Sequence, residues 1–440
     1  MDQHLISCLK SLWNAAPNHR GNLLSMAEFK AVLVACEPYM GSFTIGTLDT
    51  FPFLTALRTL GLSIDQPKKS CTVDFLEMAQ RLINTCQSSV LLRTHYCPLD
   101  LADELPEIKF GKAAIRRFSE DELARAFDLT RLGVHFPNAM VNFARLSDMQ
   151  WLVVQEEVAV SSGPAGRAHS FFAEPIEQDW GAVRPHESGW PAPVEDALFL
   201  LLLQPWETWV EVQRSHIFGF EIPWIYTVHT DLFKQPNPPP PADSLSFNFD
   251  VHIDRFGDEH EVEVPARYSL RSTAQSELSA LNQTAWEALQ RAKRSPLFKP
   301  PIQHFLVKAF QAKGVDEFMA HITAIDAAVG TANDHYQPNR TTYSTLGSTV
   351  RVGTRLAALV NDPEANGQFF QLFKLRSDFV HGRADVKDIS TAQRVGARSL
   401  ARRAAKALLD MASREMKDRE TQLEQLLDAG VALTGNTAPR

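Results

Sequence analysis

Apolar positions recur at helical spacing through the first hundred residues. Phe29, Val32, Leu33 and Cys36 form a stripe behind Ser25 and Glu28, which have the spacing of a capping box. A second stretch, Phe53 to Leu60, stops at Gly61, a residue suited to ending a helix. In a third, Val73 to about Cys86, residues Phe75, Leu76, Ala79, Leu82 and Ile83 share one face. The spacing predicts a helical N-terminal region over residues 1–105.

From about residue 106 the period shortens. Glu107 to Phe110 and Ala114 to Arg116 read as two short strands around Gly111-Lys112. Ser119 and Glu122 then mark a capped short helix. Trp151 to Val160 and Phe218 to Val228 are rich in β-branched and aromatic residues, as strands are. The proline run Pro236 to Pro241 is a stiff break. Beyond it, Phe247, Phe249 and Val251 alternate with polar residues, Gly257-Asp258 marks a turn, and Val262 and Val264 resume the alternation, which describes a hairpin. Residues 106–270 are therefore expected to form a β-rich domain of unassigned role.

The helical period returns near Ser276 and persists. Leu278, Leu281, Trp286 and Leu289 form one stripe, and Ile302 to about Val329 a longer one that Gly314 interrupts. Leu356 to Leu359, Phe369 to Val380 and Ala392 to about Leu427 complete a set of about five helices, enough for a bundle over residues 276–428. Residues 429–440 are expected to be a disordered tail. The fold class predicted is α+β and multi-domain: a helical N-terminal segment, a β-rich middle region and an all-α C-terminal bundle.

Composition narrows the partners. A net charge of −8 over 440 residues argues against a protein that coats nucleic acid indiscriminately, since that affinity comes from many phosphate contacts. It leaves room for a local basic site. Cys8, Cys36, Cys71, Cys86 and Cys97 show no C-x-x-C spacing, and their odd number fits a disulfide framework poorly, so they are expected to be buried thiols. The start MDQHLISCLKSLW lacks a signal-peptide pattern, and the longest apolar run, Ala197 to Leu203, is too short to span a bilayer. A cytoplasmic location is expected.

The chemistry concentrates in Leu372-Phe373-Lys374-Leu375-Arg376-Ser377-Asp378-Phe379-Val380-His381-Gly382, which contains Arg-x4-His. Alone the spacing is weak. Arg255 and His260 repeat it across the hairpin turn Phe256-Gly257-Asp258, where a surface role is expected. Arg376 and His381 differ in context: they close an apolar-periodic helix whose buried face would be Leu372, Leu375 and Phe379, and Gly382 is placed to stop it. Positions five apart lie about 140° apart around a straight helix, so convergence needs a distorted helix end or a second copy.

With the upstream helix Phe318-Met319-Ala320-His321-Ile322-Thr323-Ala324-Ile325-Asp326, this segment resembles the Apea-like branch of the HEPN superfamily over about residues 276–428. That branch commonly carries Ala-Leu-Glu where this chain has Ala324-Ile325-Asp326. The resemblance implies a helical HEPN domain that forms a homodimer, so that two Arg-x4-His motifs face one cleft. It also implies a metal-independent endoribonuclease that uses no cofactor. His381 would take the proton of a ribose 2′-OH and Arg376 would hold the phosphate oxygens as charge builds on them. Ser377 would bond phosphate or orient the histidine, and Asp326 would assist as the upstream acid. The products would be a 2′,3′-cyclic phosphate and a 5′-hydroxyl. Proteins of this kind are toxins or antiphage defence effectors. On that basis residues 1 to about 270 are expected to restrain the enzyme until a phage-derived or cellular trigger arrives.

Arg394, Arg398 and Arg402 recur every four residues on the next helix, beside Arg403, and are expected to offer RNA a basic face. A solvated helix surface is the plainer reading. His252, Asp254, Asp258 and His260 match no closed metal site, and His229 with Asp231 is weaker still, so no metal is expected. The chain lacks a phosphate-binding loop of either common pattern and a G-x-S-x-G elbow. Arg376 and His381 also suit a plain helix C-terminus, where cations are favoured by ~0.3–1 kcal/mol. The alternative function is thus a non-catalytic dimerising or nucleotide- and ligand-binding regulatory module.

Overall fold

The computed structural model describes residues 2–18, 22–40, 50–62, 74–160, 189–211, 218–253, 255–334, 343, 345–382, 388–414 and 417–435. The chain mixes helices with small antiparallel sheets. Its first layer contains α1 (Gln3–Ala15), α2 (Ala27–Cys36), α3 (Thr50–Thr59) and α4 (Phe75–Gln87). Asp2 and Asp74 cap α1 and α4 by accepting the N–H groups of the first turn. Ser25 does not cap α2: its hydroxyl donates to the Asn22 carbonyl at 2.6 Å, and the cap position is Met26, which has no side-chain acceptor. The layer packs on its own core, including Leu9, Phe29, Val32, Phe53 and Leu82, to which Leu232 and Phe233 are added from far along the chain. Cys8, Cys36, Cys86 and Cys97 are buried free thiols, and Cys71 lies outside the described residues.

The helical region ends before residue 105. Residues 90–98 form β1 (Val90–Pro98), an inner strand of a sheet with β2 (Ile108–Phe110), β3 (Ala113–Arg116), β4 (Trp151–Ala159) and β5 (Tyr226–His229), in the order β2-β3-β4-β1-β5. All of its pairings are antiparallel. Because side chains alternate, each face buries a different set. One face carries Tyr96 and Trp151 and packs on α5 (Glu120–Ala126), α6 (Leu129–His135) and α7 (Phe143–Ser147) through Leu123, Phe127, Leu132 and Leu146. Ser119 and Glu122 form the predicted capping box at the start of α5. The other face, through Cys97, Leu152 and Val154, meets α8 (Ala192–Leu202), whose residues Val194 to Leu202 are all buried. Of the expected strand Phe218 to Val228, only its end is paired as a strand, apart from a bridge at Glu221. The predicted hairpin forms as β6 (Phe247–Ile253) and β7 (Glu259–Pro265), a separate two-stranded sheet.

After the short helices α9 (Trp206–Trp209) and α10 (Thr273–Leu278) come α11 (Gln283–Ala292), α12 (Pro300–Gln311), α13 (Val315–Val329), α14 (Ser348–Val360), α15 (Glu364–His381), α16 (Thr391–Ala412) and α17 (Arg419–Thr434). Gly314, at φ 65°, separates α12 from α13, as its place in the apolar stripe suggested. The α14–α17 contact needs Gly430, where any Cβ would run into the Thr354 carbonyl. Helix α17 runs to Thr434, so residues 429–434 are ordered helix rather than tail, and 436–440 lie outside the described residues.

The expected division between residues 106–270 and 276–428 is not a division between cores. One continuous apolar cluster contains Cys97, Phe110 and Leu152 from the sheet, Phe199 and Trp206 from the middle of the chain, and Leu306, Ile325, Phe369 and Leu408 from the late helices. The reason is α8: buried all round, it must be covered on both sides, by the sheet and by α11 and α12. Among the described residues no helix is long and apolar enough to cross a membrane.

Candidate functional site

Helix α15 carries the Arg-x4-His motif. The Asp362 carboxylate accepts the Glu364 N–H at 3.0 Å at its start, and Glu364 suits the positive end of the helix dipole. Ala365, Phe369 and Leu372 anchor it in the core. It ends as the sequence indicated, at Gly382 with φ 58° and ψ 30°, the left-handed cap that glycine adopts at least cost.

Arg376 is half-buried and Ser377 is likewise, while His381 in the last turn is exposed. The Arg376 guanidinium lies 5.3 Å from the centre of the Phe373 ring. Neither Arg376 nor His381 forms a hydrogen bond or an ion pair with another described side chain. An arginine without a carboxylate keeps its forked N–H groups for a ligand. The helix is regular to its end, so within one chain the two side chains remain about 140° apart around the axis.

The apolar surface beside them differs from expectation. Leu372 is buried and Leu375 half-buried, but Phe379 is 46% exposed, with Val380 at 50% and Phe370 at 49%. Large apolar side chains thus stand in water on both sides of Arg376.

Asp326 lies near the end of α13, half-buried, with its carboxylate close to Gly330. No hydrogen bond or ion pair joins it to Arg376, Ser377 or His381. Arg376, Ser377 and His381 therefore share one helix end, and Asp326 is not linked to them.

The four arginines of α16 do not form an open basic face. Arg398 has no exposed surface: its Nη2 donates to the Leu202 carbonyl at 2.9 Å, its Nε lies 3.7 Å from Glu207, and its guanidinium stacks 4.4 Å from the Phe218 ring. Burial pulls its pKa down to about 10, against the pull of Glu207. Arg402 bonds Glu207 at 2.8 Å, Arg394 bonds Glu317 at 2.6 Å and Arg403 bonds Asp362 at 2.8 Å. Helical spacing put Arg394, Arg398 and Arg402 on one face, but the carboxylates of Glu207 on α9 and Glu317 on α13 cover it, and Asp362 in the α14–α15 turn takes Arg403.

Sequence reasoning missed that cluster. His321, one turn after Glu317 on α13, is fully buried with no hydrogen bond at either ring nitrogen. Burial, then Arg398 and Arg394, hold it well below its ordinary pKa, and burial raises Glu317. The available signal was a glutamate and a histidine four residues apart inside an otherwise apolar stripe.

The second Arg-x4-His pair offers no pocket: Arg255 and His260 are exposed on the hairpin, and His260 sits opposite His252. Among the described residues no group of three His, Cys, Asp or Glu side chains is placed to hold a metal ion, and Asp254 lies outside them. Comparisons with protein-family models, curated proteins and solved structures find no match to this chain.

Proposed function

We propose that this chain is a metal-independent endoribonuclease of the HEPN type, with Arg376 and His381 as its reacting groups. The observation that carries the reading is the state of the helix end. Among the described residues Arg376 has no carboxylate partner and His381 is exposed; both lie in the last turns of α15, and Gly382 terminates the helix beside them. His381 takes the proton from a ribose 2′-OH, the 2′-oxygen attacks the adjacent phosphorus, and the bond to the 5′-oxygen breaks. The departing 5′-oxygen receives a proton from the histidine of a second copy. Arg376 binds the non-bridging oxygens while charge builds on them. Ser377, next in sequence, bonds phosphate or steers the histidine.

Two copies are part of this proposal because one regular helix does not converge the pair. Phe379 and Val380, which flank Arg376 within about 60° around the helix, provide the apolar surface on which α15 of one copy meets α15 of another. Residues 1 to about 270, which include the separately cored N-terminal layer, are the part that restrains the enzyme until a trigger arrives. Arg398 is left out of RNA binding, since it has no surface to offer.

The test is induced expression of the full chain with total RNA examined for fragments, wild type against His381→Ala. Purified protein is run alongside with chelator present. Cleavage that survives chelation, ends in 2′,3′-cyclic phosphate and falls by ~10²–10⁴ in His381→Ala is the expected result. Unchanged cutting by His381→Ala would remove the motif from the chemistry.

A further inference from the structure

The face of the sheet that meets α8 changes character along its strands. At one end Cys97, Leu152 and Val154 are apolar and buried. Toward the other end, the register places Arg93 opposite Glu156 on β4 and opposite His229 on β5, with His95 opposite Thr227. Positions that an apolar sheet face would fill with valine or leucine thus carry arginine, histidine, glutamate and threonine. Together with Lys234 they line an open cavity of about 690 Å³.

The walls are held in place. His95 is 2% exposed; its Nδ1 is 2.9 Å from the Thr227 hydroxyl and its Nε2 3.4 Å from Glu156. Glu156 also lies 3.9 Å from Arg93. The turn that presents His229 and Lys234 is fixed from behind by Arg131 of α6. That guanidinium donates to the His229 carbonyl at 2.8 Å and to the carbonyls of Asp231 and Lys234. The Asp231 carboxylate accepts the Phe233 N–H at 3.0 Å, and Phe233 is anchored in the N-terminal core. These bonds hold the backbone that carries His229 and Lys234, so the two side chains are presented from a fixed turn.

Charge decides what fits. The cavity wall holds two permanent cations, Arg93 and Lys234, against one carboxylate, Glu156. Burial and then Arg93 lower the Lys234 pKa, so the two cations feel each other. His229 is held at about 4 by burial, then by Arg131, Lys234 and Arg93. Both histidines are therefore neutral at pH 7, since His95 is lowered as well, chiefly by burial. A neutral imidazole donates one hydrogen bond and accepts one, and each cation contributes N–H donors.

We propose that this cavity is a binding site for a phosphoryl group, held by Arg93 and Lys234 above the His95–Thr227 row of the sheet. A phosphate relieves the repulsion between the cations and accepts their hydrogen bonds, as charge-assisted pairs with arginine do. The site lies in the β-rich part of the chain and shares no residue with Arg376 or His381, so it stands or falls apart from the ribonuclease reading. The phosphoryl group comes either from a free phosphate ester or from a polynucleotide backbone.

The experiment uses the full chain and inorganic phosphate as the probe, with calorimetric titration and thermal unfolding at matched ionic strength. Phosphate strengthens folding generally by exclusion, so the readout is the difference between wild type and Lys234→Gln or Arg93→Gln. Both side chains are partly exposed, and these variants should fold. Each is expected to weaken phosphate binding at least about tenfold, the effect of one lost charge-assisted bond. Lys308→Gln, an exposed lysine elsewhere, should change nothing. Bound phosphate should also raise the pH at which His229 titrates. Adenosine monophosphate binding as well as phosphate would assign free esters; binding only of a short oligoribonucleotide, lost in Lys234→Gln, would assign a backbone. Equal stabilisation of wild type and Lys234→Gln by phosphate, with no heat of binding from any of the three probes, would overturn the proposal.

Discussion

Arg398→Ala removes a cation that no solvent reaches. Its Nη2 bond to the Leu202 carbonyl, its 3.7 Å pairing with Glu207 and its stacking on Phe218 all disappear together. Glu207 remains 3% exposed and keeps Arg402 at 2.8 Å, so it is weakened rather than abandoned. Removing one partner of a buried ion pair costs ~3–5 kcal/mol, and the retained Arg402 places the cost near the lower end, about 3 kcal/mol. Arg376→Ala is the matched control: it deletes the same side chain where no hydrogen bond or ion pair to a described side chain holds it and its guanidinium lies 5.3 Å from the Phe373 ring, and should stay within ~0.5 kcal/mol. Urea unfolding followed by tryptophan fluorescence reports both, with Trp206 and Trp209 on the helix that supplies Glu207. A lower midpoint at unchanged slope is expected for Arg398→Ala alone. Equal midpoints for the two variants would show that Arg398 is not a structural tie, and the inward reading of the α16 arginines would fail.

Three further outcomes follow from the same geometry. Asp334 accepts from Arg355 at 2.6 Å and from Arg351 at 3.1 Å with all three side chains buried, so Asp334→Asn should cost ~3–5 kcal/mol in denaturant titration; an unchanged midpoint would refute the tie. Although burial alone would raise it, those arginines bring the Asp334 pKa below its ordinary value, so this stability is present above the unfolded value and lost as pH falls through the folded one. His135 and His229 are both lowered to about 4, chiefly by burial, whereas an unfolded histidine titrates near ~6.5. Between those values the unfolded chain binds more protons, so the unfolding midpoint should drop from pH 7 to pH 5, and drop less in His135→Gln; parallel curves would contradict it. Gly382→Ala meets nothing within 4 Å but retains φ 58°, so a loss of ~1–2 kcal/mol is expected from conformation alone, read by hydrogen exchange in the last turn of α15.

Helices and their ends were largely legible because they rest on local spacing. Gly314 divides α12 from α13 and Gly382 stops α15, each at the residue the pattern singled out. Direction was not legible. Arg394, Arg398 and Arg402 must share a face at four-residue spacing, but spacing does not say whether that face meets water. The answer depends on Glu207, nearly two hundred residues earlier in the chain, and on Glu317 of α13. The same gap reversed Phe379, whose place in an apolar stripe implied burial and whose actual position is beyond the core at the helix end.

Strand β1 shows the other limit, and for a different reason. On the face that meets α8 it presents Leu91, Arg93, His95 and Cys97, of which only the outer two are apolar. Alternation is the signal of a half-buried strand, and two polar residues in the middle of that face erase it. Those two residues line the 690 Å³ cavity, and one of them is 2% exposed. Local pattern and global fold normally agree, because disagreement costs stability; where they part, a site is the usual reason. Desolvating His95 and holding Arg93 near Lys234 are costs of this kind, set against the well-paired core of the neighbouring strand positions. Replacing both by the residues the pattern calls for, Arg93→Val with His95→Val, should therefore raise the unfolding midpoint while abolishing phosphate binding. A double variant that lost stability instead would mean that the polar row supports the sheet, and that its departure from the pattern needs no ligand.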